Sequence, residues 1–294
     1  MNRLHLNLAL VLVVAALAAT LYFTQKKEEK GPPLTALTEA TLERIRIEHP
    51  NAPAIALQKQ DDQWRLTEPV QAAADGLEVA SIVNLSTAEA KRKLAVADVK
   101  LSELKLDPPQ YTVTLNDIRL ELGDSEPIEF RRYVRVGEEI ALIDEPSSAA
   151  LDRDYSDLVA KELLPAGAEI VKIEVPGLTL ARSTDGQSWS LSPDQPEASA
   201  DQKQKLADAW KSARAMWNAA APAGEAGGGE PVTITLKDGV VNLLVVAREP
   251  QLVIGNPALG VHYTLSKALE AELLQLPAAA APSEPAAPTT PVES

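Results

Sequence analysis

The chain contains no cysteine. Disulfides, thiolate metal sites and cysteine nucleophiles are therefore excluded. Histidine occurs three times, as His5, His49 and His262, and no two stand at a metal-ligand spacing. A histidine-based metal centre is not expected. Aromatic residues are only 4% of the 294 positions. The cores must then be mostly Leu, Val, Ile and Ala, and each tryptophan counts heavily, because one aromatic buries roughly 150–250 Å². Positive charge is short as well: 28 Lys and Arg face 42 Asp and Glu, a formal net charge of -14. Such a surface does not displace counterions from a phosphate backbone, so no nucleic-acid partner is expected. The Gly-rich stretch 224–230 has no Lys-Ser/Thr after it, so it is no phosphate loop and no nucleotide is expected. No Gly-x-Ser-x-Gly occurs. Cofactors, metals and catalytic residues are expected to be none, and the protein is not read as an enzyme.

One long apolar run is present. Residues 4–23 are apolar except His5, Asn7 and Thr20. About 20 residues at about 1.5 Å each span roughly 30 Å, one bilayer core. Tyr22 and Phe23 fit an interfacial aromatic belt, and the polar stretch 25–30 marks the exit into water. Residues 1–24 thus read as an uncleaved signal-anchor. A cleaved signal peptide is the alternative, with Ala16-Leu17-Ala18 as its site. Arg3 precedes the run and Lys26, Lys27 and Lys30 follow it, which by basic count favours a cytoplasmic C-terminal side. The very short leading tail and the signal-anchor pattern favour the opposite, N-in and C-out. The expected location is a bacterial inner membrane, crossed once, with the bulk of the chain periplasmic. Ala15, Ala16, Ala18 and Ala19 would allow close approach to another membrane helix, or simply fill the anchor.

Beyond a linker at 25–35, a pattern occurs twice. Arg44-Ile45-Arg46-Ile47-Glu48-His49-Pro50 leads through a short strand and an acidic turn to Trp64-Arg65-Leu66. Ile170-Val171-Lys172-Ile173-Glu174-Val175-Pro176 leads in the same way to Trp189-Ser190-Leu191. A repeat at this scale means two similar modules. The first is assigned to 36–164 and the second to 165–276, with a flexible loop at 219–230 and a disordered Pro/Ala-rich tail at 277–294. The expected fold class is α+β, with the membrane helix followed by two repeated, mostly antiparallel sheet-plus-helix modules. Ala74-Asp75 and Ala200-Asp201 are each read as a helix start, with Asp75 as N-cap. Leu77, Val79, Ile82, Val83 and Leu85 should form the buried face of the first helix. A short helical turn is expected at 102–109, strands at 111–116, 118–122, 128–136 and 140–143, and a closing helical segment carrying Asp152, Asp154 and Asp157.

Trp64-x-Leu66, the helix start at Ala74-Asp75, Leu104-x-Leu106-Asp107-Pro108-Pro109, Thr112-Val113-Thr114-Leu115 and Arg131-Arg132-Tyr133-Val134-Arg135-Val136 follow one another in that order. In this order they resemble the bacterial domain-of-unknown-function family 4340, over about residues 36–215. The chain departs from the family pattern at Lys105, where a glycine is usual. The resemblance implies an N-terminal membrane anchor and an envelope accessory protein encoded beside gliding-motility-type ABC transporters. It implies no catalytic residues.

The remaining candidates are few. Trp64, Leu66, Trp189 and Leu191 are expected to form equivalent core positions of the repeat, although the two tryptophans could line a ligand groove. Arg131 and Arg135 share a strand face and could hold an anionic partner; pairing with Glu126, Glu129, Glu138 and Glu139 is the alternative. The Asp152, Asp154 and Asp157 cluster lacks the glycine and distal glutamate of a calcium loop and reads as a solvated helix face. The function expected is a non-enzymatic accessory or scaffold of an ABC transport system, with the inner membrane and permease subunits as partners. The alternative is a periplasmic lipid- or ligand-binding protein with a groove between the modules.

Overall fold

A computed structural model describes residues 12–17, 20, 31–144, 151, 153–222 and 228–277. Residues 12–17 and 20 are helical, and the Thr20 hydroxyl donates to the Ala16 carbonyl at 2.7 Å. Among the described residues no helix is long and apolar enough to cross a membrane. The rest of the expected anchor, Asp152, and the tail from 278 lie outside the described residues.

The remainder is mostly β. The first half supplies β1 (Arg44–Glu48), β2 (Ile55–Gln60), β3 (Gln63–Glu68), β4 (Ala72–Ala73), helix α1 (Gly76–Ser86), β5 (Arg92–Ala95), β6 (Tyr111–Leu115), β7 (Ile118–Ser125), β8 (Arg131–Val136) and β9 (Glu139–Asp144). The second half supplies β10 (Ile170–Val175), β11 (Leu178–Arg182), β12 (Trp189–Ser192), α2 (Ala200–Ser212), β13 (Trp217–Ala220), β14 (Glu230–Leu236), β15 (Gly239–Ala247), β16 (Leu252–Asn256), β17 (Val261–Leu265) and α3 (Leu269–Leu274). Two antiparallel sheets result, ordered β4-β3-β2-β1-β6-β7-β8-β9-β5 and β12-β11-β10-β14-β15-β16-β17-β13. Apart from β4 the two orders are the same, strand for strand. The expected balance of sheet and helix is therefore shifted: beyond the helical residues 12–17 and 20, three α-helices accompany 17 strands among the described residues.

Period-two burial builds the sheets. Ile45 and Ile47 of β1 are buried between half-exposed neighbours, as a half-covered strand requires. In β10 the buried residues are Ile170, Ile173 and Val175, and the first two stand three apart because the register slips between Ile170 and Lys172; the extra residue of a bulge resets the alternation. The hairpins are tight. Asp61 and Asp62 join β2 to β3 at φ 48° and 60°, the left-handed pair that twist-matched two-residue turns need. Asn116 turns β6 into β7 at φ 52°. Its Oδ1 accepts from the Glu43 and Arg44 amides at 3.0 Å each and its Nδ2 donates to the Thr41 carbonyl at 2.8 Å, which ties the approach to β1 to this hairpin.

Several expectations are corrected. Leu77 is 76% exposed, not buried. On α1 the buried Val79, Ile82, Val83 and Ser86 follow i, i+3, i+4, i+7, and a residue two before Val79 lies about 200° away from that face. The helix starts match, but the caps differ: Asp75 caps α1, whereas α2 is capped by Ser199 in a capping box with Gln202. β8 begins at Arg131 rather than 128, and residues 126–130 form its connecting loop. Residues 153–164 form turns and bridges, not a helix. Ala219 and Ala220, read as flexible loop, belong to β13 and pair with β17. They are the second module's counterpart of β5, the strand each module sends from its helix to the far edge of its sheet. Residues 31–35, read as linker, are packed: Thr35 is buried, and the Leu34 amide donates to the Ala88 carbonyl at 2.7 Å.

The Leu-Asp-Pro-Pro segment forms turns rather than a short helix and folds back on β7. Gly123 makes that possible, since a Cβ there would lie 2.2 Å from the Leu104 carbonyl oxygen and 2.9 Å from Leu106 Cγ. Lys105 has φ 50°, a left-handed conformation that costs a side-chain-bearing residue roughly 1–2 kcal/mol and glycine almost nothing. A glycine at this position, which the resemblance leads one to expect, would relieve that strain. Lys105 also pairs with Asp124 at 2.6 Å in an exposed ion pair, worth at most about 1 kcal/mol. Lys105→Gly is expected to raise stability by up to about 1 kcal/mol. Lys105→Ala, which keeps the strained backbone and loses the pair, should lower it. Urea unfolding of both variants checks the sign.

Candidate functional site

The two sheets are joined by residues 153–164, and this strap is built from turn chemistry. Asp154 Oδ1 accepts from the Ser156 amide at 2.7 Å, and Asp157 Oδ2 accepts from the Asp154 amide at 3.2 Å. These side-chain bonds fold the chain locally where a helix would otherwise compete. Beyond them the backbone is extended and bonds to both modules. Toward the first, the Asp75 amide donates to the Leu158 carbonyl at 2.8 Å and the Ala160 amide to Ala73 at 2.9 Å. Toward the second, the Ala215 amide donates to the Lys161 carbonyl at 2.8 Å and the Leu163 amide to Ala213 at 3.3 Å. Buried Asn218 on β13 donates to the Ser156 and Val159 carbonyls at 3.2 and 2.8 Å. The Tyr155 hydroxyl lies 2.9 Å from the Gly260 carbonyl oxygen and 3.1 Å from that of Leu259. Leu158, Val159, Leu163 and Leu164 are buried beneath these bonds.

Charge is concentrated at the same seam. Asp75, its side chain 3% exposed, accepts through Oδ1 from the Leu77 and Glu78 amides at 3.0 and 3.3 Å. Its Oδ2 faces Arg214 of the second module at 3.2 Å and Lys161 of the strap at 3.5 Å. Lys161 also reaches Glu78 at 3.2 Å, Arg153 pairs with Glu78 at 2.5 Å, and Arg214 pairs with Glu162. One carboxylate thus caps a helix of one module and holds a guanidinium of the other, and charge-assisted bonds of this kind are the stronger ones. Asp75 is legible in sequence as a cap. Arg214, Lys161, Tyr155 and Asn218 carry no local signal, because each acts on residues distant in the chain.

Burial, and after it the charge of Asp154, pushes the Asp157 carboxyl above the ordinary range. An acid whose folded-state pKa is raised binds its proton more tightly in the native state. Its favourable contribution is therefore present below the unfolded value and is lost as pH rises through the folded one. At neutral pH the charged carboxylate opposes folding. Asp157→Asn, which keeps an oxygen for the Asp154 amide, should be more stable than the parent at pH 7, and the advantage should vanish below the ordinary carboxylate range. Thermal melts across pH check this; an advantage that grows on acidification would contradict it.

The structure separates the other sequence candidates. Leu66 and Leu191 are buried in the core, and Trp64 and Trp189, two positions before them on β3 and β12, are half-buried against it. Trp189 donates to Gln204 of α2 at 2.9 Å, and the Arg182 guanidinium lies over its ring. The fully buried tryptophan is Trp210, whose indole donates to the Leu273 carbonyl at 2.9 Å. Arg131 pairs with Glu129 and, at 3.7 Å, with Asp144; Arg135 pairs with Glu121 at 3.3 Å. Of the expected acidic partners only Glu129 engages one of them, since the others used, Glu121 and Asp144, lie across strands. Arg132 between them is buried and donates to the Tyr111 hydroxyl at 2.5 Å and the Gly123 carbonyl at 3.2 Å. Among the described residues no cluster of His, Asp and Glu could hold a metal. A surface depression of about 470 Å³ lies wholly in the first module, lined by Ala97, Asp98, Val99, Lys100, Glu103 and Leu104.

A family model described as Domain of unknown function (DUF4340) matches residues 64–221. The chain belongs to that family. The match runs from Trp64 on β3, through the strap, to the residue after β13. The family's shared region therefore includes parts of both modules and nearly all of the seam, Leu259 and Gly260 excepted. No curated protein and no solved structure matches the chain.

Proposed function

We propose that the chain is a non-enzymatic, single-pass inner-membrane protein whose two modules form a periplasmic scaffold accessory to an ABC transport system. Each module would be a sheet with its helix, repeated, and residues 4–23 would be the anchor. The observation that carries the scaffold reading is the seam. Asp75, Lys161, Arg214, Tyr155 and Asn218 bond across it to one another or to backbone, and breaking buried bonds of this kind is costly. Such a unit presents fixed surfaces to a partner. The alternative, a lipid or ligand held in a groove between the modules, would require that seam to part. The transport system enters through the family resemblance, and the ATP-hydrolysing part would belong to the partner.

The test is recovery of partners from membranes with the full-length protein, beside a version whose residues 1–23 are replaced by an unrelated single-pass anchor. A permease subunit should co-purify with the native protein and less with the swapped one. Equal recovery would place the contact in the modules, and no permease with either would overturn the transporter reading. A phosphatase active only outside the cytoplasm, fused after Ser294, should be active; inactivity would reverse the orientation.

A further inference from the structure

The loop between β7 and β8 is built unlike the other hairpins. Ile128 is 86% exposed and Phe130 is 68% exposed. Phe130 also has φ 54°, a left-handed conformation that is a genuine outlier for a bulky residue. Strain of this kind persists where the surroundings impose it and is concentrated at functional positions. Single exposed apolar residues need no explanation. Two on one loop tip, one of them held outward by a strained backbone, do.

The position of this tip on the first module is informative. Residues 31–33 come in beside Ala90: the Ala90 amide donates to the Pro32 carbonyl at 2.9 Å, and a Cβ on Gly31 would lie 2.2 Å from the Ala90 carbonyl oxygen. Ala90 lies two residues before β5, whose first residue Arg92 pairs in register with Leu142, two before the end of β9 at Asp144, and Asp144 pairs in register with Arg131 at the start of β8. Lys91 and Arg131 both reach the Asp144 carboxylate, at 3.6 and 3.7 Å. The incoming chain and the apolar tip therefore stand at the same end of the sheet, about three strand spacings or roughly 15 Å apart. Seven residues, 24–30, separate Gly31 from the end of the apolar run at Phe23, a reach of at most roughly 28 Å. An anchored chain is thus tethered closely at the end that carries Ile128 and Phe130.

We infer that the Ile128–Phe130 tip is a second membrane contact, its side chains inserted into the interfacial layer of the bilayer beside the anchor. The inference rests on the reading of residues 4–23 as that anchor. The contact is apolar rather than electrostatic. Glu126, Glu129 and Asp144 crowd the tip, and the guanidinium of Arg131 at its base is paired with Glu129 and Asp144. Interfacial burial of an apolar face does not require anionic lipid, so the contact forms equally on zwitterionic and anionic vesicles.

The absence of cysteine makes the test direct. Full-length protein carrying Phe130→Cys or Ile128→Cys, each labelled with an environment-sensitive fluorophore, is reconstituted into phosphatidylcholine vesicles with and without nitroxide-bearing lipids. Val240→Cys, an exposed site of the second module, is the reference, and Leu12→Cys reports the anchor. The labels at 128 and 130 should be blue-shifted, lose emission to nitroxide lipid and resist aqueous iodide, unlike that at 240. Labels at 128 and 130 that behave as at 240 overturn the inference. So does shielding from iodide without nitroxide quenching, which would mean a protein covers the tip. Quenching at 12 but not at 128 or 130 leaves the anchor reading standing and removes this contact; the reverse result keeps the contact and removes the anchor.

Discussion

Replacing Trp210 with alanine is expected to lower the stability of the fold by about 3–5 kcal/mol, the usual cost of emptying a fully buried aromatic site. Trp210 lies on the buried face of α2 beside Leu206 and Ala207, and α2 packs on α3, β10 and β12. Its indole donates to the Leu273 carbonyl at the C-terminal end of α3. Truncation leaves a cavity and an unpaired acceptor, and both act against the folded state. Trp210→Phe should retain much of the apolar packing and lose the hydrogen bond, for a smaller loss. Because whole domains are stable by only about 5–15 kcal/mol, the alanine variant should be near its unfolding limit at 37 °C. Urea unfolding followed by circular dichroism checks this. Trp64→Ala should cost less, since Trp64 is only half-buried; equal losses at 64 and 210 would contradict the account.

Asp75→Ala is expected to cost about 2–4 kcal/mol. Loss of an N-cap accounts for about 0.5–2 of this, and the remainder is the buried charge contact to Arg214 and Lys161. The cost stays below that of a fully orphaned buried charge, about 3–5 kcal/mol, because Lys161 keeps Glu78 and Arg214 keeps Glu162. Asp75→Asn, which retains a capping oxygen, should recover about half. A double-mutant cycle with Arg214→Ala should give a coupling of about 0.5–3 kcal/mol, as contacting residues do; additivity would mean that the two modules are not joined through this pair. Asp201→Ala is the control. Asp201 occupies the matching dipeptide at the start of α2, but it is exposed and pairs, among the described residues, only with Lys205, so its loss should be under about 1 kcal/mol.

Asp75 and Asp201 show how far local pattern reaches. Both follow an alanine at a helix start, and both helices form. Which acid is buried depends on what packs over it, and the strap arrives from more than eighty residues away. Leu77 failed as a core residue because a first-turn position can belong to either face until the helix is seated. Ile128 and Phe130 read as strand by composition, yet the strand begins at Arg131, since a bulge between Leu122 and Ser125 carries β7 further and moves the turn. β13 was hidden because Ala219 and Ala220 have little β-propensity; pairing with β17 supplies what propensity does not.

The amino-acid sequence by itself determined the repeat, the hairpins and the family. These are local properties: alternation sets which face is buried, Asp61-Asp62 and Asn116-Asp117 set the turns, and the order of short motifs survives in one dimension. Only the tertiary structure decided that the two sheets share one strand order, that a strap joins them, and that an apolar tip stands beside the point where the chain arrives. Those are relations between residues far apart in sequence. Their free energy exists only once the backbone has closed the long loops between them, and no local pattern encodes it.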